Sequence, residues 1–297
     1  MTPREIERRL SRAKLGYGHG TWNAREEAAW LRSRVKDPKR LEALLDRRIR
    51  ERIPLAYLLN EAWLGERAFY VDERAIVPRS FIAELLRERL RPWLARAPRR
   101  ALDLCTGSGC LAVLLALTFP GVRVDASDVS GDALQVARRN VENYRLKKRI
   151  RLLRSNLFKS LRRRKYDLIV CNPPYVTARS MRRLPKEYRH EPALALAAGK
   201  DGLDFVRRLI GSARAHLRPG GMLVCEIGGN RRALERAYPK LEFAWPATSD
   251  PGTVFILPRE RLPARARREG SRRSGATRGA GSRAGGARGA RARARPR

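Results

Sequence analysis

The chain has 297 residues, 43% of them hydrophobic, and a formal net charge of +36. That length accommodates one full domain and a smaller one. No run approaches the roughly 18 apolar residues of a membrane span, and the charged start Met1-Thr2-Pro3-Arg4-Glu5 is unlike a secretory signal.

Residues 1–60 read as helices, with helical spacing over Arg25–Leu31 and Leu41–Asp46, and Asn23 in the position of an N-cap. Trp22 and Trp30 are expected in the core of this helical part. Alternation from Trp63 to Ile76 predicts a β-hairpin, with Phe69-Tyr70-Val71 as one strand, and a helix is expected over Phe81–Leu94.

Strands and helices then alternate. Ala101-Leu102-Asp103-Leu104-Cys105 reads as a short strand, Thr106-Gly107-Ser108-Gly109 as a glycine turn, and Cys110–Leu117 as a helix. Glycine lets a backbone approach a ligand and adopt positive φ. The next strand, Val122–Asp128, ends in a carboxylate roughly 20 residues past the glycines, the place for an acid that accepts ribose hydroxyls. The third glycine of a dinucleotide fingerprint is absent, with Ala112 in its place. Ser130 is expected to cap a helix over Gly131–Tyr144, and Ile150–Arg154 reads as a strand.

The buried strand Tyr166–Cys171 runs into Asn172-Pro173-Pro174-Tyr175. Two prolines cannot continue a ladder, so the strand ends in a stiff corner. That corner offers an amide (Asn172), a backbone carbonyl (Pro174) and a ring (Tyr175), which suit a planar conjugated –NH2 group. The glycine turn, the strand-end acid and this corner, in that order, point to S-adenosylmethionine, with Asp103 placed to pair with the cofactor's ammonium directly or through water. A helix over Asp201–Leu217 and strands over Gly221–Gly228 and Thr253–Leu257 complete an α/β pattern. Glu226 falls at the end of a strand near the site, and His190, between Arg189 and Glu191, reads as structural.

From Arg261 onward the composition collapses to Arg, Ala, Gly and Ser, with thirteen arginines against one glutamate, and predicts a disordered tail. Two origins compete for the charge of tail and surface alike: a ribosomal RNA contact, or the arginine bias of a GC-rich genome. Cys105, Cys110, Cys171 and Cys225 include no C-x-x-C pair, so free thiols in a reducing cytoplasm, and no metal, are expected.

Over residues 15–258 the chain resembles the bacterial protein-(glutamine-N5) methyltransferases. Gly18-His19-Gly20-Thr21, Pro54–Trp63, Val77-Pro78-Arg79-Ser80, Asp103–Cys110, His190-Glu191-Pro192 and Gly199–Leu203 carry the likeness, and their wording is that of the branch acting on ribosomal protein uL3. The sister branch acts on release factors and usually has Gly where Cys105 stands. Departures are Phe81 for a usual proline, Asn156 for a usual aspartate near the adenine, and a short stretch between Val35 and Arg48. The resemblance implies a Rossmann-like methyltransferase with a mostly parallel seven-stranded sheet and helices on both faces. It implies an N-terminal helical substrate-recognition domain (1–62), a hairpin linker (63–77), a methyltransferase domain (78–260) and the tail (261–297).

Asp103, Cys105, Thr106, Gly107, Ser108, Gly109, Asp128, Asn156, Leu157 and Asn172 are expected to hold the cofactor. Asn172, Pro174 and Tyr175 are expected to carry catalysis, and Asn172, Pro173, Pro174, Tyr175, Arg79 and Glu191 to meet the substrate. N5-methylation of a uL3 glutamine is the implied reaction. Release-factor methylation, adenine-N6 methylation of nucleic acid, and a non-enzymatic ribosome-assembly factor are the competing readings.

Overall fold

A computed structural model of the chain describes residues 1–264; from residue 265 on, the expected disordered tail lies outside the described residues. Helices α1 (Pro3–Arg12), α2 (Ala24–Arg34), α3 (Pro38–Arg50) and α4 (Leu55–Leu59) open the chain. Thr2 and Glu5 form a reciprocal capping box on α1, and the Asn23 side chain caps α2 by accepting from the Glu26 N–H. Ile6 and Leu10, Ala28 and Leu31, and Leu41 and Leu45 recur at helical spacing and meet in one apolar cluster. Trp30 packs against that cluster, but Trp22, expected there too, is 80% exposed. It precedes the N-cap and so lies outside the helical repeat that turns α2 toward the core.

A short hairpin comes next, β1 (Ala62–Leu64) and β2 (Arg67–Phe69), turning at Gly65 with φ +60°. It ends at Phe69, so the expected strand residues Tyr70 and Val71 lie beyond it. Helix α5 (Ile82–Arg87) is shorter than its apolar pattern suggests. Arg89 and Leu90 adopt positive φ, and their N–H groups return to Leu86 and Leu85 carbonyls in a Schellman-type stop made without glycine.

The remaining elements are β3 (Arg100–Leu104), α6 (Cys110–Thr118), β4 (Arg123–Asp128), α7 (Gly131–Asn143), β5 (Ile150–Arg154), β6 (Tyr166–Cys171), α8 (Ala178–Met181), α9 (Asp204–Ala213), β7 (Leu217–Glu226), α10 (Arg231–Ala237) and β8 (Val254–Pro258). Ser130 caps α7 as expected. The long helix expected over 201–217 is α9 alone, because a 3-10 turn at Arg214–His216 hands the chain to β7 at Leu217.

The sheet has six strands in the order β5-β4-β3-β6-β7-β8, with β8 antiparallel to β7 and the rest parallel. The expected seventh strand is reduced, among the described residues, to an isolated bridge between Ala244 and Ile256. Pro239 and Pro246 bracket that segment, and proline cannot donate to a ladder. Side chains alternate strictly. Leu168 and Val170 of β6, Val224 of β7 and Ile256 of β8 face α5, α6 and α7. Ile169, Cys171, Leu223, Cys225 and Phe255 face α9 and α10. The packed chain also runs slightly past the expected boundary at 260, since Leu262 is buried and its carbonyl accepts from Arg214 at 2.6 Å.

The helical segment is anchored to the sheet-bearing part of the chain by buried charge. Arg48 reaches Glu27 at 2.5 Å, Glu187 at 3.3 Å and the Gly16 carbonyl at 2.9 Å, while Arg52 and the Gly16 N–H also meet Glu187. Removing one partner of such a buried network costs about 3–5 kcal/mol, because the remaining charge is stranded.

Candidate active site

Strand order reverses between β3 and β6, and in open α/β sheets ligands bind at the carboxyl edge beside such a switch point. The glycine turn follows β3 and the diproline corner follows β6, so the fold brings both to this crevice. A cavity of about 220 Å3 opens there.

Gly109 has φ +80°, and a Cβ on it would lie 3.0 Å from Ala137 Cβ, so the turn packs tightly on α7. The Gly107 N–H donates to Asp128 Oδ2 and the Ser130 N–H to Oδ1, both at 2.9 Å. These bonds orient the Asp128 carboxylate on the cavity wall and leave each oxygen a second lone pair. Burial raises the Asp128 carboxyl, against the backbone donors that lower it. Asp103 sits deeper, fully buried and off the wall. Its Oδ2 accepts from Thr106 Oγ1 at 2.5 Å, while Oδ1 is buried with no hydrogen-bond partner. Burial raises its carboxyl to about 7 despite the Thr106 bond.

Of the expected site residues, Cys105, Gly107, Asp128, Asn156, Leu157, Asn172 and Pro174 line the cavity. Thr106, Ser108 and Gly109 build the turn behind it, and Pro173, Tyr175, Arg79 and Glu191 lie outside its wall. Asn156 is exposed, and its Oδ1 accepts from Arg208 at 2.8 Å. Its acceptor is thus engaged by a cation on α9. Phe205 and Arg208, one helical turn apart, join Ile76, Val129 and Leu194 on the wall, and sequence reading assigned none of them. Their only sequence signal is i,i+3 spacing on α9, which core helices share.

The corner is held from three sides. Asn172 Nδ2 donates to the Arg79 carbonyl at 3.0 Å, which leaves Oδ1 as the free acceptor of that amide. The Arg79 guanidinium grips both oxygens of Glu191, at 2.7 and 2.6 Å, and stands 5.3 Å from the centre of the Tyr188 ring. Glu191 also accepts from the Val77 N–H, and His19 Nε2 stands 3.7 Å away. Burial would raise the Glu191 carboxyl, but His19 and Arg79 outweigh it and bring it to about 2. Arg79 and Glu191 are therefore spent on each other. His190 contacts the Glu51 carbonyl, on the N-terminal helices.

Tyr175 is positioned by Glu226, to which its hydroxyl donates at 3.3 Å. Ser80 Oγ and the Phe81 N–H donate to the other oxygen, at 2.7 and 3.0 Å. A proline at 81 could not supply that second donor. Glu226 is almost wholly buried, and burial raises it to about 7 against these donors. Gly228, with φ +53°, lies against the ring: a Cβ there would come within 2.9 Å of two of its carbons.

No group of three or more metal-ligating side chains exists among the described residues, and no helix there is long and apolar enough to cross a membrane. The four cysteines are free, three of them buried and Cys105 half-buried.

A switch-point cavity with an oriented carboxylate after β4 and a glycine turn after β3 suits a nucleoside whose other end is an amino acid. Ser127 Oγ on the wall and Asp103 Oδ1 behind it are buried acceptors without partners, which fits a cationic ligand end. This is the frame of an S-adenosylmethionine-dependent methyltransferase, and residues 82–186 match the methyltransferase small domain family. The chain is 50% identical over 282 residues to the ribosomal protein uL3 glutamine methyltransferase of Bordetella pertussis, covering 86% of this chain and 92% of that one. It is 51% identical over 275 residues to the protein of that name from Neisseria meningitidis serogroup A, covering 86% and 90%. It is 46% identical over 286 residues to that of Burkholderia pseudomallei, covering 87% and 93%. The chain belongs to the ribosomal protein uL3 glutamine methyltransferase family.

Proposed function

We propose that this protein methylates the N5 nitrogen of a glutamine side chain in ribosomal protein uL3, in the cytoplasm. The observation that carries the reading is the placement of Asn172 and Pro174 on the wall of the donor cavity, with the Asn172 Nδ2 already engaged by Arg79.

When bound, S-adenosylmethionine supplies a methyl carbon activated by a sulfonium leaving group. Asp128 would hold the ribose hydroxyls with its remaining lone pairs, and the turn at Cys105 and Gly107 would lie against the nucleoside. A glutamine amide is a poor nucleophile, because its nitrogen lone pair is delocalised into the carbonyl. The Asn172 Oδ1 and the Pro174 carbonyl would accept its two N–H hydrogens, pull electron density toward nitrogen and aim it at the methyl carbon. With the methyl group supplied by the bound donor and its thioether as leaving group, the methylated nitrogen would be acidic and would lose its proton to bulk solvent after the transfer. No side-chain base is required, in keeping with a corner that carries no His or Lys. Tyr175, steadied by Glu226 and Gly228, would pack on the amide and exclude water. Arg79 and Glu191 are positioning residues, and the N-terminal helices present the substrate protein.

Purified uL3, a GGQ-bearing release factor and an adenine-containing RNA, each incubated with the protein and labelled methyl donor, test the reading. Label on a uL3 glutamine, seen as the mass of one methylene, is the expected result; label on the release factor or RNA alone overturns it.

A further inference from the structure

At the opposite edge of the sheet, where the strands begin, lies a second cleft, of about 350 Å3. Strands of five and six residues separate it from the donor cavity by roughly 17–20 Å. Seven Arg and Lys side chains line it, against a single carboxylate, Asp125. That carboxylate is already consumed, because Arg151, Arg164 and the Tyr166 hydroxyl all donate to it at 2.8–3.1 Å.

Four cations have no acidic partner among the described residues; one of them, Arg149, is engaged by the Ala116, Phe119 and Val122 carbonyls. Arg100 and Lys148 make no side-chain hydrogen bond or ion pair there, and Arg123 reaches only the Lys148 carbonyl, at 3.5 Å. Arg100 and Arg123 are register partners on adjacent parallel strands, and the Arg100, Arg123 and Lys148 side chains are exposed. Like charges set side by side cost stability unless an anion joins them. The charge continues into the neighbouring loop, where residues 162–165 read Arg-Arg-Arg-Lys.

We propose that this cleft binds the phosphate backbone of RNA. A concave cluster of guanidinium and ammonium heads, in excess over a single carboxylate that is already engaged, suits a polyanion, and the planar fork of Arg matches phosphate geometry. The proposal rests on the ribosomal substrate assigned above: a ribosomal protein carried on its RNA would be gripped at one edge of the sheet and modified at the other. RNA binding is measured without methyl transfer, so the two readings fail separately.

The test uses the full chain and a labelled RNA hairpin of about 20 base pairs, with affinity followed against KCl. The triple variant Arg100→Gln/Arg123→Gln/Lys148→Gln is compared with Arg232→Gln/Arg236→Gln/Lys240→Gln, which removes the same charge from exposed positions at and beyond α10. The cleft variant is expected to reduce the salt slope by about 2–3 and to weaken binding at about 50 mM KCl by roughly tenfold or more. The control variant should change both far less, and both variants should methylate isolated uL3 at the parental rate. Equal losses in the two variants, or an unchanged slope in the cleft variant, overturn the proposal. So does polyglutamate displacing the hairpin as well as unlabelled RNA at equal charge, which would make the cleft a site for acidic peptides.

Discussion

The Asn172 side chain is oriented by a backbone group 93 residues earlier, the Arg79 carbonyl, which accepts from Nδ2 at 3.0 Å. A carbonyl can only accept, so this bond decides which end of the amide is free. The free end is the oxygen, the group a conjugated –NH2 requires. The guanidinium of the same Arg79 is tied to Glu191, so the corner, the segment before α5 and the loop after the corner form one unit.

Replacing that acceptor should separate binding from turnover. Asn172→Ala is expected to lower kcat for uL3 methylation by about 10²–10³, as for loss of a preorganised polar contact, with the donor Kd little changed. Parental turnover in this variant would refute the assigned role.

Breaking the buried pair should act on the fold as well. Arg79→Ala strands the Glu191 carboxylate and is expected to cost about 3–5 kcal/mol in urea unfolding. The pH dependence has a definite sign. The folded Glu191 carboxyl, at about 2, lies below its ordinary 4.5. Its contribution is complete above 4.5 and is lost as pH falls toward 2. The variant should therefore lose less stability than the parent across that window; parallel curves would show that the pair is not the source.

Glu226 works in the opposite direction. Its folded carboxyl is raised from 4.5 to about 7. The stability it gives is complete below 4.5 and disappears as pH rises to about 7. Glu226→Gln should flatten this part of the stability curve, by up to about 1.4 kcal/mol per pH unit. Superimposable unfolding midpoints from about pH 5 to about pH 7 in parent and variant would remove Glu226 as the cause.

Gly228→Ala tests the ring. The new methyl would stand 2.9 Å from Tyr175 carbons at a residue with φ +53°, so the ring must move. A displacement near 1 Å at a positioning group costs on the order of 10²-fold in rate. Single-turnover methylation at saturating donor reads the loss, and an unchanged rate would show that Tyr175 does not align the amide.

For the cofactor, Asp128→Ala is expected to weaken donor binding by about 1.5–3 kcal/mol, read as Kd by calorimetry. Asp128→Asn keeps an acceptor for only one of the two backbone donors, at Gly107 and Ser130, and should fall between parent and alanine. Equal affinities for all three proteins would take Asp128 out of the ribose site.

Much was legible in the sequence because local stereochemistry fixes it. Alternation over Tyr166–Cys171 can only face two layers, Pro173-Pro174 must end a strand, and Ser130 is suited to cap the helix that begins at Gly131. Those rules give the parallel sheet, the turn, the strand-end acid and the corner. They stop where partners are remote. Arg79 and Glu191 are 112 residues apart, and Ser80 and Glu226 are 146 apart. No local pattern shows that the first pair neutralise each other, or that the second fixes Tyr175. The exposure of Trp22 and the reduction of a seventh strand to one bridge were likewise settled by packing and by flanking prolines. Sequence alone determined which backbone conformations were open to each segment; tertiary structure decided which charges were buried, paired or left to face solvent, because those energies depend on distances that the chain sets only once it has folded.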